Sequence, residues 1–176
     1  MYFQPNVRTK IMNEGWASFW HRRIIEELDQ EIDFLTEDGD DNFLRYDRMN
    51  SGVVSPGRVG GLNPYYLGIN LWQRVFDRWE NPSEEDRREL GLEGGQGFEK
   101  MFEIRSSMND AEFVRNFCDE QLVTDLDAFC YQKTGVDWTI VSTDWEDVRD
   151  TLFSNLLGRR GTPIICVIDD DYHQNR

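Results

Sequence analysis

Residues Lys10-Ile11-Met12-Asn13-Glu14-Gly15-Trp16-Ala17-Ser18-Phe19-Trp20-His21 constrain the fold more tightly than any other stretch of the chain. They read as the start of a helix. On it Met12, Trp16, Phe19, Trp20, Ile24, Leu28 and Ile32 cover most of the circumference. A helix apolar nearly all round is expected to be buried. Glu14 and His21 are separated by two helical turns and so point nearly the same way. A buried isolated charge is costly, so this carboxylate and imidazole are expected to be paired, hydrogen-bonded or bound to a metal.

The rest of the composition fits one domain of ordinary size. Six Trp, eleven Phe and six Tyr among 176 residues can fill a core. No run of eighteen apolar residues occurs, which argues against a membrane span. With 34 acidic against 19 basic residues the formal charge is -15, and Lys10, Lys100 and Lys133 are the only lysines. Such a surface lacks the basic patch that nucleic acid or anionic lipid requires. It suits a salt-rich, halophilic cytoplasm, where screening relieves self-repulsion. Cys118, Cys130 and Cys166 are odd in number and widely spaced, so buried thiols in a reducing compartment are expected rather than disulfides or a thiolate zinc site.

Periodicity predicts a first helix from near Thr9 to near Leu35, capped by Thr9 or Asn6, and a short one from about Asp41 to Asn50. Ser51 to Gly61 reads as a loop. Asn63-Pro64 starts an amphipathic helix carrying Leu67, Leu71, Val75 and Trp79, which ends at Asn81-Pro82. Ser83 to Asp86 opens another helix, and Gly91 to Gly97 reads as a flexible connection without the lysine of a phosphate loop. Further helices are expected around Phe98–Arg105, Asn109–Phe117 and Asp119–Leu126. The pattern then changes. Phe129-Cys130-Tyr131 and Val136–Ser142 form a hairpin about Gly135, Thr143 to Glu146 caps a helix reaching Leu157, and Pro163–Asp169 is a strand. The expectation is an α+β fold: a helical portion over 1–126, then a small hairpin, helix and strand unit over 127–176 with an open sheet edge.

The Thr9–His21 segment resembles the SpoVR family, named for stage V sporulation protein R. Ser51-Gly52-Val53-Val54, Leu62-Asn63-Pro64-Tyr65-Tyr66-Leu67-Gly68, and Phe102-Glu103-Ile104-Arg105 followed by Asn109-Asp110 agree with it. Family members are considerably longer. The resemblance implies that this chain corresponds to the middle-to-late part of one, a fragment without the family's N-terminal portion and C-terminal end. It further implies a cytoplasmic protein of a stress or sporulation-type pathway, with a role in spore cortex formation in spore formers. Its partners would be proteins, a serine protein kinase and a von Willebrand-type protein among them, and no reaction is established.

Asn13-Glu14-Gly15-Trp16-Ala17 is also similar to the gluzincin aminopeptidase motif Asn-Glu-Gly-Phe-Ala, whose glutamate is the third zinc ligand. That likeness implies a second function, a metal-dependent hydrolase. Glu14 and His21 would help hold a divalent metal such as zinc, with the remaining ligands supplied from outside this chain and the fragment alone inactive. Asn13 would support the site, Asn63 would line its edge, and Arg105 would be the buried partner of Glu14. The alternative for Glu14 is a buried carboxylate tied to arginine or backbone. For His21 it is a core histidine bonded to a carboxylate. Asp169-Asp170-Asp171 reads as a solvated turn, and His173 is too distant in sequence to complete a pair.

Overall fold

Helix α1 spans Lys10–Ile32, α2 spans Asp41–Arg48, and a π-helical turn covers Met49–Val53. They are followed by α3 (Pro64–Glu80), α4 (Glu84–Leu90), α5 (Gly97–Ser107), α6 (Asp110–Phe117), α7 (Glu120–Asp125), strands β1 (Cys130–Thr134) and β2 (Asp137–Ser142), and α8 (Trp145–Gly158). This is a computed structural model, and it describes residues 6, 8–32, 41–56 and 63–158. The expected strand Pro163–Asp169, together with Cys166, Asp169–Asp171 and His173, lies outside those residues, as does Gly57–Gly61 of the expected loop.

The start of α3 follows from Asn63 and Pro64. Asn63 is extended and its side-chain oxygen accepts the Tyr65 backbone N–H at 3.0 Å. Pro64 has no N–H to leave unsatisfied at the first helical position. On α3, Leu67, Leu71, Trp72, Val75 and Phe76 are buried, and α1, α5, α6 and α7 all pack against this helix. Around it Met101 and Ile104 of α5 and Phe113 and Val114 of α6 are fully buried. Large apolar side chains of this kind stabilise a fold by roughly 1.5–3 kcal/mol each when removed from water.

Short helices are set by local chemistry. Ser83 accepts the Asp86 amide while the Asp86 carboxylate reaches back to the Ser83 amide, a capping box. Asn109 and Glu112 form a second one at α6. At α8 the acceptor is Asp144, which takes the Glu146 amide at 2.8 Å, rather than the expected Thr143. An Asp side chain caps as well as Thr, and one position along it meets the first free amides.

Three local expectations change. The segment from Ser51 is not simply a loop, because the π-helical turn runs through it and closes with the Val54 amide on the Met49 carbonyl at 2.9 Å. Gly91–Gly97 is held rather than flexible. Gly95 and Gln96 donate to the carbonyls of Glu80 and Trp79, and the Gly97 amide donates to the Glu80 carboxylate. A methyl group on Gly97 would stand 2.7 Å from the Phe76 ring, so the connection is closed down onto α3. Finally, α1 is not buried all round. Its first half meets α3 and α6, whereas Ile24 and Ile32 further along are 52% and 65% exposed.

The hairpin is antiparallel, with Tyr131 opposite Ile140 and Lys133 opposite Trp138. Gly135 takes φ 67° in its turn, a left-handed conformation that costs glycine nothing. Cys130 of β1 and Val148 of α8 join the same buried cluster as Trp72. The architecture is α+β and mainly helical, as the sequence leads one to expect. Among the described residues no helix is long and apolar enough to cross a membrane.

Candidate functional site

The Asn13–Ala17 motif sits where α1 crosses α3. Gly15 and Gly68 meet there backbone to backbone. A Cβ on Gly15 would lie 2.2 Å from the Gly68 carbonyl carbon, and one on Gly68 would lie 2.3 Å from the Ile11 carbonyl oxygen. Only glycine at both positions permits this approach. Buried Ser18 continues the narrow face one turn on, with its hydroxyl folded back to the Glu14 carbonyl at 2.9 Å. Trp72 crosses the seam and donates its indole N–H to the Met12 carbonyl at 2.9 Å.

The start of α1 is fixed by a residue that the sequence reading placed in a family-like segment but gave no role. The Asp110 carboxylate, 3% exposed, accepts the amides of Ile11 and Met12 at 2.9 Å each. It acts as a helix cap supplied from another helix, 98 and 99 positions away in sequence. The Thr9 hydroxyl instead accepts from the Asn13 side chain at 3.0 Å. Asp110 also begins α6, so its negative charge sits at the positive ends of two helices. The signal available in the sequence was an acid directly after the Asn109 cap, with Ala111, Phe113 and Val114 apolar behind it.

Glu14 is half-buried at the rim of the crossing, and its partner is the Tyr65 hydroxyl at the head of α3. The hydrogen bond to Glu14 pushes the Tyr65 phenol above its ordinary pKa, with desolvation and the Glu14 charge adding to it. Asn63 joins the same rim. Besides capping α3, its amide donates to the carbonyls of Val53 at 2.9 Å and Ser55 at 2.8 Å, tying the π-helical turn to the start of α3. Asn13 is exposed.

His21 departs from expectation. It is exposed, and its Nδ1 contacts the Met49 thioether rather than a carboxylate. The physical reason is axial distance. Seven residues return to the same azimuth but advance about 10 Å along a helix, so Glu14 and His21 align without meeting. Among the described residues no three His, Cys, Asp or Glu side chains converge as a metal site would need. Glu14 and His21 therefore do not fit one zinc ion as a pair. Arg105 is also corrected. It is exposed rather than buried against Glu14, and its guanidinium lies 4.5 Å from the centre of the Trp16 ring.

Elsewhere, Arg74 pairs with Asp119 at 2.8 Å and Arg78 with Asp86 at 2.7 Å around a cleft between α3 and α4. Those groups fasten helix ends. Burial pushes the Cys118 thiol up to about 11, which keeps it protonated and unreactive at neutral pH.

A mainly helical α+β body whose longest motif is consumed in a glycine-mediated helix crossing, with a capped tyrosine–glutamate rim, defines the class. A family model described as "SpoVR like protein" matches residues 1–159. The chain belongs to the SpoVR family. It is similar to "Uncharacterized protein YcgB" of Escherichia coli (strain K12), at 29% identity over 137 residues, covering 73% of this chain and 26% of that protein. The chain thus spans about a quarter of the length of this curated relative. No solved structure matches.

Proposed function

We propose that this chain is part of a SpoVR-type protein that acts through protein partners in a stress or sporulation-type pathway, in the cytoplasm. In spore formers that pathway leads to the spore cortex. A serine protein kinase and a von Willebrand-type protein are the proposed partners. The observation that carries the reading is how the motif residues are used. Gly15 is spent on the crossing, Asn63 on the π-helical turn, and Glu14 on the Tyr65 hydroxyl. Residues committed in this way hold the helices together rather than converge on a ligand, which favours a role through protein partners. The test is reciprocal affinity capture of the full protein with the kinase and the von Willebrand-type protein produced in the same cells. Co-purification in both directions is the expected result, and its absence in both overturns the reading.

A second reading keeps Glu14 as one ligand of a divalent metal, zinc by the gluzincin likeness, in a hydrolase completed by residues outside this chain. What favours it is the half-exposed Glu14 carboxylate beside a phenol at the rim. It requires ligands other than His21. Metal analysis of the full-length protein separates the two readings. Zinc lost in Glu14→Gln but kept in His21→Ala would support this one, and zinc-free protein would remove it.

A further inference from the structure

Helices α1 and α5 share a partly buried ladder of rings with a cation at each end. The Arg105 guanidinium lies over Trp16, whose ring centre is 5.1 Å from Phe102 and 5.8 Å from Trp20. Trp20 stacks on Phe98 at 5.1 Å and an angle of 17°. Arg23 closes the other end, 4.8 Å from Phe98 and 4.6 Å from Phe76. At its centre Phe102 is 56% exposed, and Ile24, one turn beyond Trp20 on the same line of α1, continues the apolar strip.

Two features set this face apart. The chain has 34 acids to 19 basic residues, yet neither Arg23 nor Arg105 forms an ion pair among the described residues. Each rests on rings instead, with its charge still available. Beneath them, the buried indole N–H of Trp20 has no acceptor among the described residues, which is a costly state for a donor. Exposed Phe102 and Arg105, with half-buried Trp16, Trp20 and Arg23 beside them, have the composition of an interface centre rather than of a solvated rim.

We propose that the α1–α5 face is a docking surface for an acidic segment of a partner protein, with an aromatic or aliphatic anchor at its centre and carboxylates on both sides. The anchor packs on Phe102 and the outer edge of Trp20, and the carboxylates pair with Arg105 and Arg23. This rests on the reading that the protein works through protein partners.

The test uses three labelled synthetic peptides and fluorescence anisotropy with the whole chain. The first carries Phe and Leu anchors flanked by glutamates, the second has lysines in place of the glutamates, and the third has serines in place of the anchors. The first is expected to bind with micromolar Kd, and the other two at least tenfold more weakly. Arg105→Glu and Phe102→Ser alter exposed side chains, and each is expected to weaken the first peptide at least tenfold with an unchanged circular dichroism spectrum. If either variant unfolds, Arg105→Gln is measured in its place. No binding to the unaltered chain, equal binding of the lysine peptide, undiminished binding to the variants, or a single-stranded oligonucleotide displacing the peptide would each overturn the proposal. The two variants also separate it from the wider reading. Partners still captured by both would condemn this face alone, whereas correct peptide behaviour with no partner captured would condemn only the wider reading.

Discussion

At the scale of single residues, polar groups at the rim act through defined partners. The Tyr65 phenol is raised because Glu14 holds its proton. Glu14→Gln removes the charge and weakens the bond, so the Tyr65 pKa is expected to fall toward 10, which a tyrosinate absorbance titration against a Tyr65→Phe control would read. A raised phenol favours folding below the pKa of the unfolded chain, and that contribution disappears as pH rises through the folded value. Asp110 carries more. Its two charge-assisted bonds close the start of α1 inside the protein, and Asp110→Ala leaves both amides buried without that acceptor. A loss of about 3 kcal/mol is expected in urea denaturation, more than a surface cap would give. The sequence marks Asp110 only as an acid behind the Asn109 cap and not as the cap of α1, because the amides it serves belong to a helix almost a hundred positions away.

Elements here are positioned by contacts that tolerate little change. The Gly15–Gly68 crossing puts backbone against backbone, and Gly15→Ala or Gly68→Ala would force α1 and α3 apart. Each is expected to cost about 3 kcal/mol or more despite the better helix propensity of alanine, and thermal melts would show it. Gly52→Ala is the control, since nothing lies within 4 Å of a methyl group there. At α4 the Asp86 carboxylate feels an upward push from burial, but the Ser83 hydroxyl and Arg78 outweigh it and hold its pKa below the ordinary range. Its contribution is therefore complete above the unfolded value of about 4 and is lost as pH falls through the folded one. Asp86→Asn is expected to destabilise at pH 7 and to match the unaltered protein near pH 2, as paired denaturation curves would reveal. The starts of α3 and α4 were readable because Asn63-Pro64 and the Ser83 box act within a few residues. The π-helical turn was not, because Asn63 tethers the following backbone from ten and eight positions away.

For the whole molecule, charge and burial patterns dominate. A formal charge of -15 on 176 residues implies self-repulsion that salt relieves. The unfolding midpoint is expected to rise by several degrees between 0.1 M and 2 M KCl, and indifference to salt would exclude a halophilic adaptation. Composition and periodicity by themselves determined the class: a helix-rich α+β chain with a late hairpin, an acidic surface and an aromatic core. These are properties of local spacing and side-chain chemistry, which a linear sequence carries in full. Tertiary structure alone decided what the central motif does. Azimuth on a helix can be counted, but axial separation and the neighbouring helix settle contact. Glu14 thus meets Tyr65 rather than His21, and Arg105 meets Trp16 rather than Glu14. Asp110 becomes a cap only because folding brings two helix starts together, and no count along the chain measures that approach.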